Sequence, residues 1–317
     1  MAHLAEVVRL VRAGQRFLVS GHANPDGDAL GSMLATLHGL RALGKDVVAY
    51  DHDPAPRRLA FLPGADAVVT DPKLLDGPFD ATFVHDCGDL KLLGDRFPPP
   101  SVTGRIVVLD HHATARDFGD LSLRDVKAAA VGIIVARLLD ALGVPLSPAI
   151  AECLWCSLAS DTGWFRYAST DLETMRLATA CVEAGAVPWD FARRSEETQP
   201  AARLKLMARV FDSLEIVGTT AFLTLSRATL AQSGATTAEA EGLVGYARGL
   251  DGIEVGVMFY EKSDGVRVSL RSKGDVDVGA VAELFGGGGH KAAAGCFIAG
   301  TLADGRARIL QALGQTA

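Results

Sequence analysis

The feature that most constrains this chain is a set of short apolar runs that stop abruptly at acids and histidines. Arg16 to Ser20 (RFLVS), Asp46 to Tyr50 (DVVAY), Ala81 to Val84 (ATFV) and Arg105 to Leu109 (RIVVL) are continuously apolar and bounded by Gly, Pro or charge. Runs of that length read as strands buried on both faces, while Leu30 to Leu43 and Gly132 to Leu142 carry helical periodicity. The alternation requires a parallel sheet covered by helices. In an open parallel sheet the ligand site lies beyond the carboxyl ends of the strands. Three of these strands run straight into chemistry: FLVS into His22, Asp26 and Asp28, TFV into His85 and Asp86, and IVVL into Asp110, His111 and His112.

Further helices are expected at Pro148 to Ser160, Asp171 to Ala184 and Trp189 to Glu197, the last beginning after the stop signal Pro188. Residues 192–210 read as a basic helical connector interrupted by Pro200. A second alternation then begins, with strands at Ala221 to Leu225, Glu254 to Tyr260 and Val266 to Leu270. Helices are expected near Thr237 to Leu250, Val278 to Phe285 and Leu302 to Leu313. The expected organisation is therefore an N-terminal parallel-sheet domain (1–191), a helical linker (192–210) and a smaller C-terminal α/β domain (211–317), with the active site in the cleft between them.

Composition excludes several classes. The longest apolar run, Ala128 to Ala136, falls far short of the roughly 20 residues of a membrane span. The first residues read as an amphipathic helix and not a secretory signal, so a soluble, cytoplasmic protein is expected. A net charge of -7 argues against a sequence-independent binder of long nucleic acid, which needs excess Lys and Arg. The five cysteines are odd in number and scattered; Cys153 and Cys156 form a lone CxxC inside a predicted helix and read as buried helix-face residues.

A single Asp after a strand is usually a turn or cap residue, and Asp28 would cap the helix that follows it. What ordinary turn chemistry does not explain is the co-occurrence of His22, Asp26, Asp28, Asp86, Asp110, His111 and His112. That many carboxylates in one crevice repel one another unless cations compensate them. Mixed carboxylate and imidazole donors suit manganese, iron or zinc better than magnesium. Near the C-terminus, Gly286 to Gly289 precede His290 and Lys291 and a small-residue segment that itself looks helical. This reads as a phosphate-binding loop at a helix N-terminus, with Arg271 at a strand end as a phosphate clamp.

HANPDGDALGS, VHDCGD, DHH and SDTGWFRY, in that order, resemble the four motifs of the DHH phosphoesterase superfamily. SLRSKGDVDVGAVAELFGGGGHKAAAG resembles the C-terminal domain that accompanies them in the oligoribonuclease and 3'-phosphoadenosine 5'-phosphate (pAp) phosphatase group. The resemblance implies two manganese ions: one held by His22, Asp26 and Asp86, the other by Asp28, Asp86, His111 and Asp161, with Asp86 bridging. It implies a substrate-facing His112, an Asp110 that orients a ligand histidine, and substrate binding by Arg271, Gly287, Gly288, Gly289 and His290. The chain departs from the family pattern at Lys91 and Ile133, neither of them a metal position.

Two cations sharing Asp86 would activate a bridging water and stabilise phosphoryl charge without a catalytic Ser or Cys. The expected activity is hydrolysis of short oligonucleotides (nanoRNA, pApA) to mononucleotides, with pAp dephosphorylation beside it. Turnover of cyclic or linear dinucleotide signals is the second reading, and a non-catalytic nucleotide-binding module the third. The expected partners are short oligonucleotides and nucleotide bisphosphates, not long nucleic acid or membrane, and the apolar helices are compatible with a homodimer.

Overall fold

A computed structural model describes residues 3–116 and 118–314. The chain divides into two compact units, Met1–Thr198 and Gln199–Ala317.

The first unit is built on five parallel strands, β1 (Arg16–Ser20), β2 (Asp46–Ala49), β3 (Ala81–His85), β4 (Arg105–Asp110) and β5 (Leu121–Arg124), in the order β2-β1-β3-β4-β5. The four expected strands are present, as their apolar content demands. β5 was not foreseen, because LSLR is only four residues and alternates as an edge strand does. The helices are α1 (Leu4–Ala13), α2 (Gly27–Ala42), the single turn α3 (Pro100–Thr103), α4 (Val131–Leu142), α5 (Pro148–Asp161), α6 (Leu172–Glu183) and α7 (Pro188–Glu196).

One core holds α1, α2, α4 and α5 together with the sheet, and includes Phe17, Leu30, Leu34, Phe83, Ile134, Leu138 and Leu154, all fully buried. α2 is apolar on nearly every face, as a helix enclosed between other elements must be. Its close partner is α5. The Cβ that Gly31 lacks would lie 2.5 Å from the carbonyl oxygen of Cys153, so only glycine lets the two helices approach this closely. The CxxC cysteines lie buried on that contact side of α5.

The second unit carries α8 (Ala201–Asp212), β6 (Glu215–Val217), β7 (Thr220–Leu225), α9 (Arg227–Ser233), α10 (Val244–Arg248), β8 (Val255–Glu261), β9 (Gly265–Ser272), α11 (Val278–Glu283), β10 (Gly288–His290), β11 (Ala293–Ala299) and α12 (Leu302–Ala312). Its six strands run β10-β11-β9-β8-β7-β6, and β7 with β8 is the parallel pair in an otherwise antiparallel sheet. The small-residue segment after the glycines is therefore a strand and not the expected helix. Its alternate residues Ala294, Cys296 and Ile298 bury into the core while Ala293, Gly295 and Phe297 face the other way. The helix expected at Thr237 to Leu250 resolves into a single 3-10 turn, Thr237–Ala240, followed by α10.

Candidate metal centre

The carboxyl ends of β1, β3 and β4 deliver their acids and histidines to one place, and α5 adds Asp161 from its last turn. Asp26, not Asp28, is the N-cap of α2: its Oδ1 accepts from the backbone N–H groups of Asp28 and Ala29 at 2.9 and 3.0 Å. Asp28 sits one residue inside the helix with its side chain fully buried. Its Oδ2 accepts from the Val131 amide at 2.7 Å and its Oδ1 from the Ser157 hydroxyl at 2.6 Å, so it faces the N-terminus of α4. Asp86 follows β3 with φ +52, a left-handed backbone that a non-glycine residue adopts at a cost of order 1–3 kcal/mol. Its amide donates to the carbonyl of Leu109 on β4 at 2.9 Å and holds that turn against the neighbouring strand.

The donor atoms fall into two groups around Asp86. Its Oδ2 lies 3.8 Å from His22 Nε2, which is 3.9 Å from Asp26 Oδ1. Its Oδ1 lies 3.5 Å from His111 Nε2, which is in turn 3.2 Å from Asp161 Oδ2 and 3.8 Å from Asp28 Oδ2. His22, Asp26 and Asp86 form one set, and Asp28, His111 and Asp161 another, with ligand atoms within 4.8 Å of one another in each. Both histidines are set alike: Nδ1 of His22 meets the Ala23 carbonyl and Nδ1 of His111 the Ala128 carbonyl, each at 2.9 Å, which leaves Nε2 as the ligand atom.

The residues fit divalent cations on the physics of the site itself. Asp86 Oδ1 is buried and accepts no hydrogen bond, an orphan that a native structure does not keep without reason. Burial, reinforced by the charge of Asp161, pushes Asp28 up to about 8, and burial followed by the charge of Asp28 raises Asp86 well above the ordinary carboxylate range. Burial opposes charge on His111, yet its hydrogen bond to Asp161 and the charge of Asp28 prevail and raise it to about 9.

Asp110 is buried and holds His112: its Oδ1 accepts from His112 Nδ1 at 2.7 Å. The histidine that Asp110 orients is thus His112, which with Asp86 and His111 forms a further group of potential ligand atoms, while the carbonyl of Ala128 orients His111. His85, also at a strand end, is structural. It is fully buried between the carbonyl of Ser20 at 3.0 Å and the Thr36 hydroxyl at 2.8 Å, and burial pulls it down to about 4.

Two residues beside the site escaped the sequence reading. Ser157 binds Asp28 but had no signal inside an apolar helix. Asp51 lies two residues beyond β2, directly after the apolar run that ends at Tyr50, and is buried with an unpartnered Oδ2; the strand-end rule that found the other acids points to it as well. Its carboxyl is pushed up to about 7 by burial, with the backbone N–H of Asp53 and the nearby His22 opposing.

In the second unit, Arg271 is the last residue but one of β9, Gly288 to His290 form β10, and Gly287 precedes it. Arg271 pairs with Ala293 and Ala293 with His290, so the guanidinium and the imidazole share one face of the sheet across a small residue. The glycine run is a hairpin edge, not a helix N-terminus. A Cβ on Gly287 or Gly289 would lie 2.2 or 2.4 Å from carbonyl oxygens of β11, whereas Gly288 faces open space.

Residues 16–158 match the N-terminal domain of the DHH family and residues 220–317 match the DHHA1 domain. The chain is 32% identical over 314 residues, 99% of its length and 93% of the relative's, to a bifunctional oligoribonuclease and PAP phosphatase (NrnA) of Thermus thermophilus. It is 27% identical over 297 residues, 92% of each chain, to the protein of the same description from Bacillus subtilis. The crystal structure of an exopolyphosphatase-related protein from Bacteroides fragilis superimposes with a TM-score of 0.91 at 24% identity, covering 99% of this chain and 96% of that one, which establishes the shared fold. Among the described residues, no helix is long and apolar enough to cross a membrane.

Proposed function

The chain belongs to the DHH family, and from that premise we propose that it is a phosphoesterase that uses two divalent cations, manganese by preference, to hydrolyse short oligoribonucleotides to mononucleotides and to remove the 3'-phosphate of pAp. The observation that carries this reading is the position of Asp86, whose two oxygens face separate donor sets of the same mixed carboxylate and imidazole chemistry. The bifunctional relatives, matched over nearly their whole length, support the choice of substrate.

When bound, the cations supply Lewis-acid charge for the phosphoryl oxygens and an activated solvent nucleophile. His22, Asp26 and Asp86 would hold one ion, and Asp28, Asp86, His111 and Asp161 the other. The hydrogen bond to Asp110 holds one proton of His112 on Nδ1, so that Nε2, when it carries a second proton, would donate to the phosphate oxygens or the leaving group. Arg271 and His290, aided by the open edge at Gly288, would grip the terminal phosphate and so select short substrates over long nucleic acid.

A panel of pAp, pApA, a five-nucleotide RNA and cyclic di-AMP, with products resolved by chromatography in manganese and in magnesium, tests the reading. Release of AMP from pApA and pAp is the expected result. Protein that carries its metal yet leaves both intact refutes it, and preferential cleavage of cyclic di-AMP moves the assignment to signal turnover.

A further inference from the structure

The sheet of the second unit is unevenly covered. One face packs throughout on α11 and α12, through Phe222, Val257, Val268, Leu270, Ile298 and Ile309 among others. On the opposite face, α8 and α10 cover β7 and β8 through Leu206, Val210, Val244 and Ala247, which pack on Leu223 and Met258. Beyond β8 the same face continues over β9, β11 and β10 as a strip in which Arg267, Phe297, Gly288 and His290 are exposed and Ser269, Arg271, Ala293 and Gly295 are half-buried.

Strand register orders this strip. Arg271 pairs with Ala293 and Ala293 with His290 at one end; Ser269 pairs with Gly295, which pairs with Gly288, in the middle; Arg267 pairs with Phe297 at the other end. Directly paired residues of an antiparallel sheet project to the same side. The floor is therefore made of glycine, serine and alanine, bounded at one end by a guanidinium and an imidazole and at the other by an aromatic ring beside an arginine. The ring of Phe297 is 45% exposed, and it lies over Gly265, the first residue of β9. Phe297 and Ala293 are four residues apart on one strand, roughly 14 Å at the antiparallel rise. Reduced by the reach of the Arg271 side chain, that span suits one nucleotide from its terminal phosphate to its base.

We propose that Phe297 is the stacking platform for the base of the nucleotide whose terminal phosphate is held by Arg271 and His290, with the ribose lying over Ser269 and Gly295. The inference rests on the function proposed above and adds a residue and a contact to it. An aromatic face takes any base, because stacking does not read hydrogen-bonding edges. The platform thus confers grip without sequence preference, which suits an enzyme that consumes mixed short fragments. Its chemistry is matched by charge: guanidinium and imidazole where the phosphate lies, an apolar ring where the base lies.

The test compares kcat and KM for wild type, Phe297→Ala and Phe297→Trp on pApA and on the same dinucleotide with its first base removed. Phe297→Ala is expected to lower kcat/KM on pApA roughly 5- to 100-fold. The change is expected in KM, with no effect on the abasic substrate, and Phe297→Trp should retain wild-type efficiency. Equal losses on both substrates, or an Ala variant indistinguishable from wild type on pApA, overturn the proposal. A wild-type protein inactive on pApA instead refutes the underlying function, and the inference falls with it.

Discussion

Asp51 illustrates how a single buried carboxyl couples this fold to pH. Its folded-state value of about 7 lies above the ordinary 3.8, so the native state holds a proton that the unfolded chain has released over that range. The contribution to stability is complete below about pH 4 and is lost as pH rises from about 4 to 7. Asp51→Asn keeps an acceptor for the Asp53 amide and removes the titration. In metal-free protein the variant should lose less stability than wild type between pH 5 and 8 and be more stable at pH 8 by about 1–3 kcal/mol, as read from urea unfolding. Identical pH profiles would refute this. At the same scale, the sequence made the acids of the proposed metal centre legible because each followed a strand or stood in a recognisable motif. It misassigned the cap of α2 because Asp26 and Asp28 are both short acids before an apolar run, and only their backbone angles and burial separate them.

At the level of elements, the site depends on how closely α2 approaches α5. These two helices carry Asp28 and Asp161, and Gly31 sets their separation. Gly31→Ala forces the added methyl toward the Cys153 carbonyl and should cost about 1–3 kcal/mol in thermal or urea unfolding. It should also weaken ion binding, since the two proposed ligands move apart. Loss of stability with unchanged ion affinity would show that the helix contact does not position the ligands. The buried strands and long helices could be read from periodicity because fully apolar runs and amphipathic stripes announce themselves. The hairpin of β10 and β11 could not. KAAAG has high helix propensity, and its extended conformation is imposed by pairing with β9, a non-local contact that no short window contains.

Across the whole molecule, the proposed labour is divided between units, with ions held by the first and the terminal phosphate by the second. Arg271→Ala should therefore lower kcat/KM on pApA about 10- to 100-fold, the range expected for loss of a charged hydrogen bond, while the metal content stays that of wild type. A parallel loss of metal would contradict that division. The net charge of -7, which argues against long nucleic acid, takes on a second meaning here: Asp26, Asp28, Asp86 and Asp161 are part of it, and two divalent ions would offset all four. The central claim is that Asp86 is shared between two cations. Calorimetric titration of the metal-free protein with manganese tests it most directly: wild type should bind two ions per chain and Asp86→Asn should weaken both. A single ion in wild type, or one site untouched in the variant, would contradict the account.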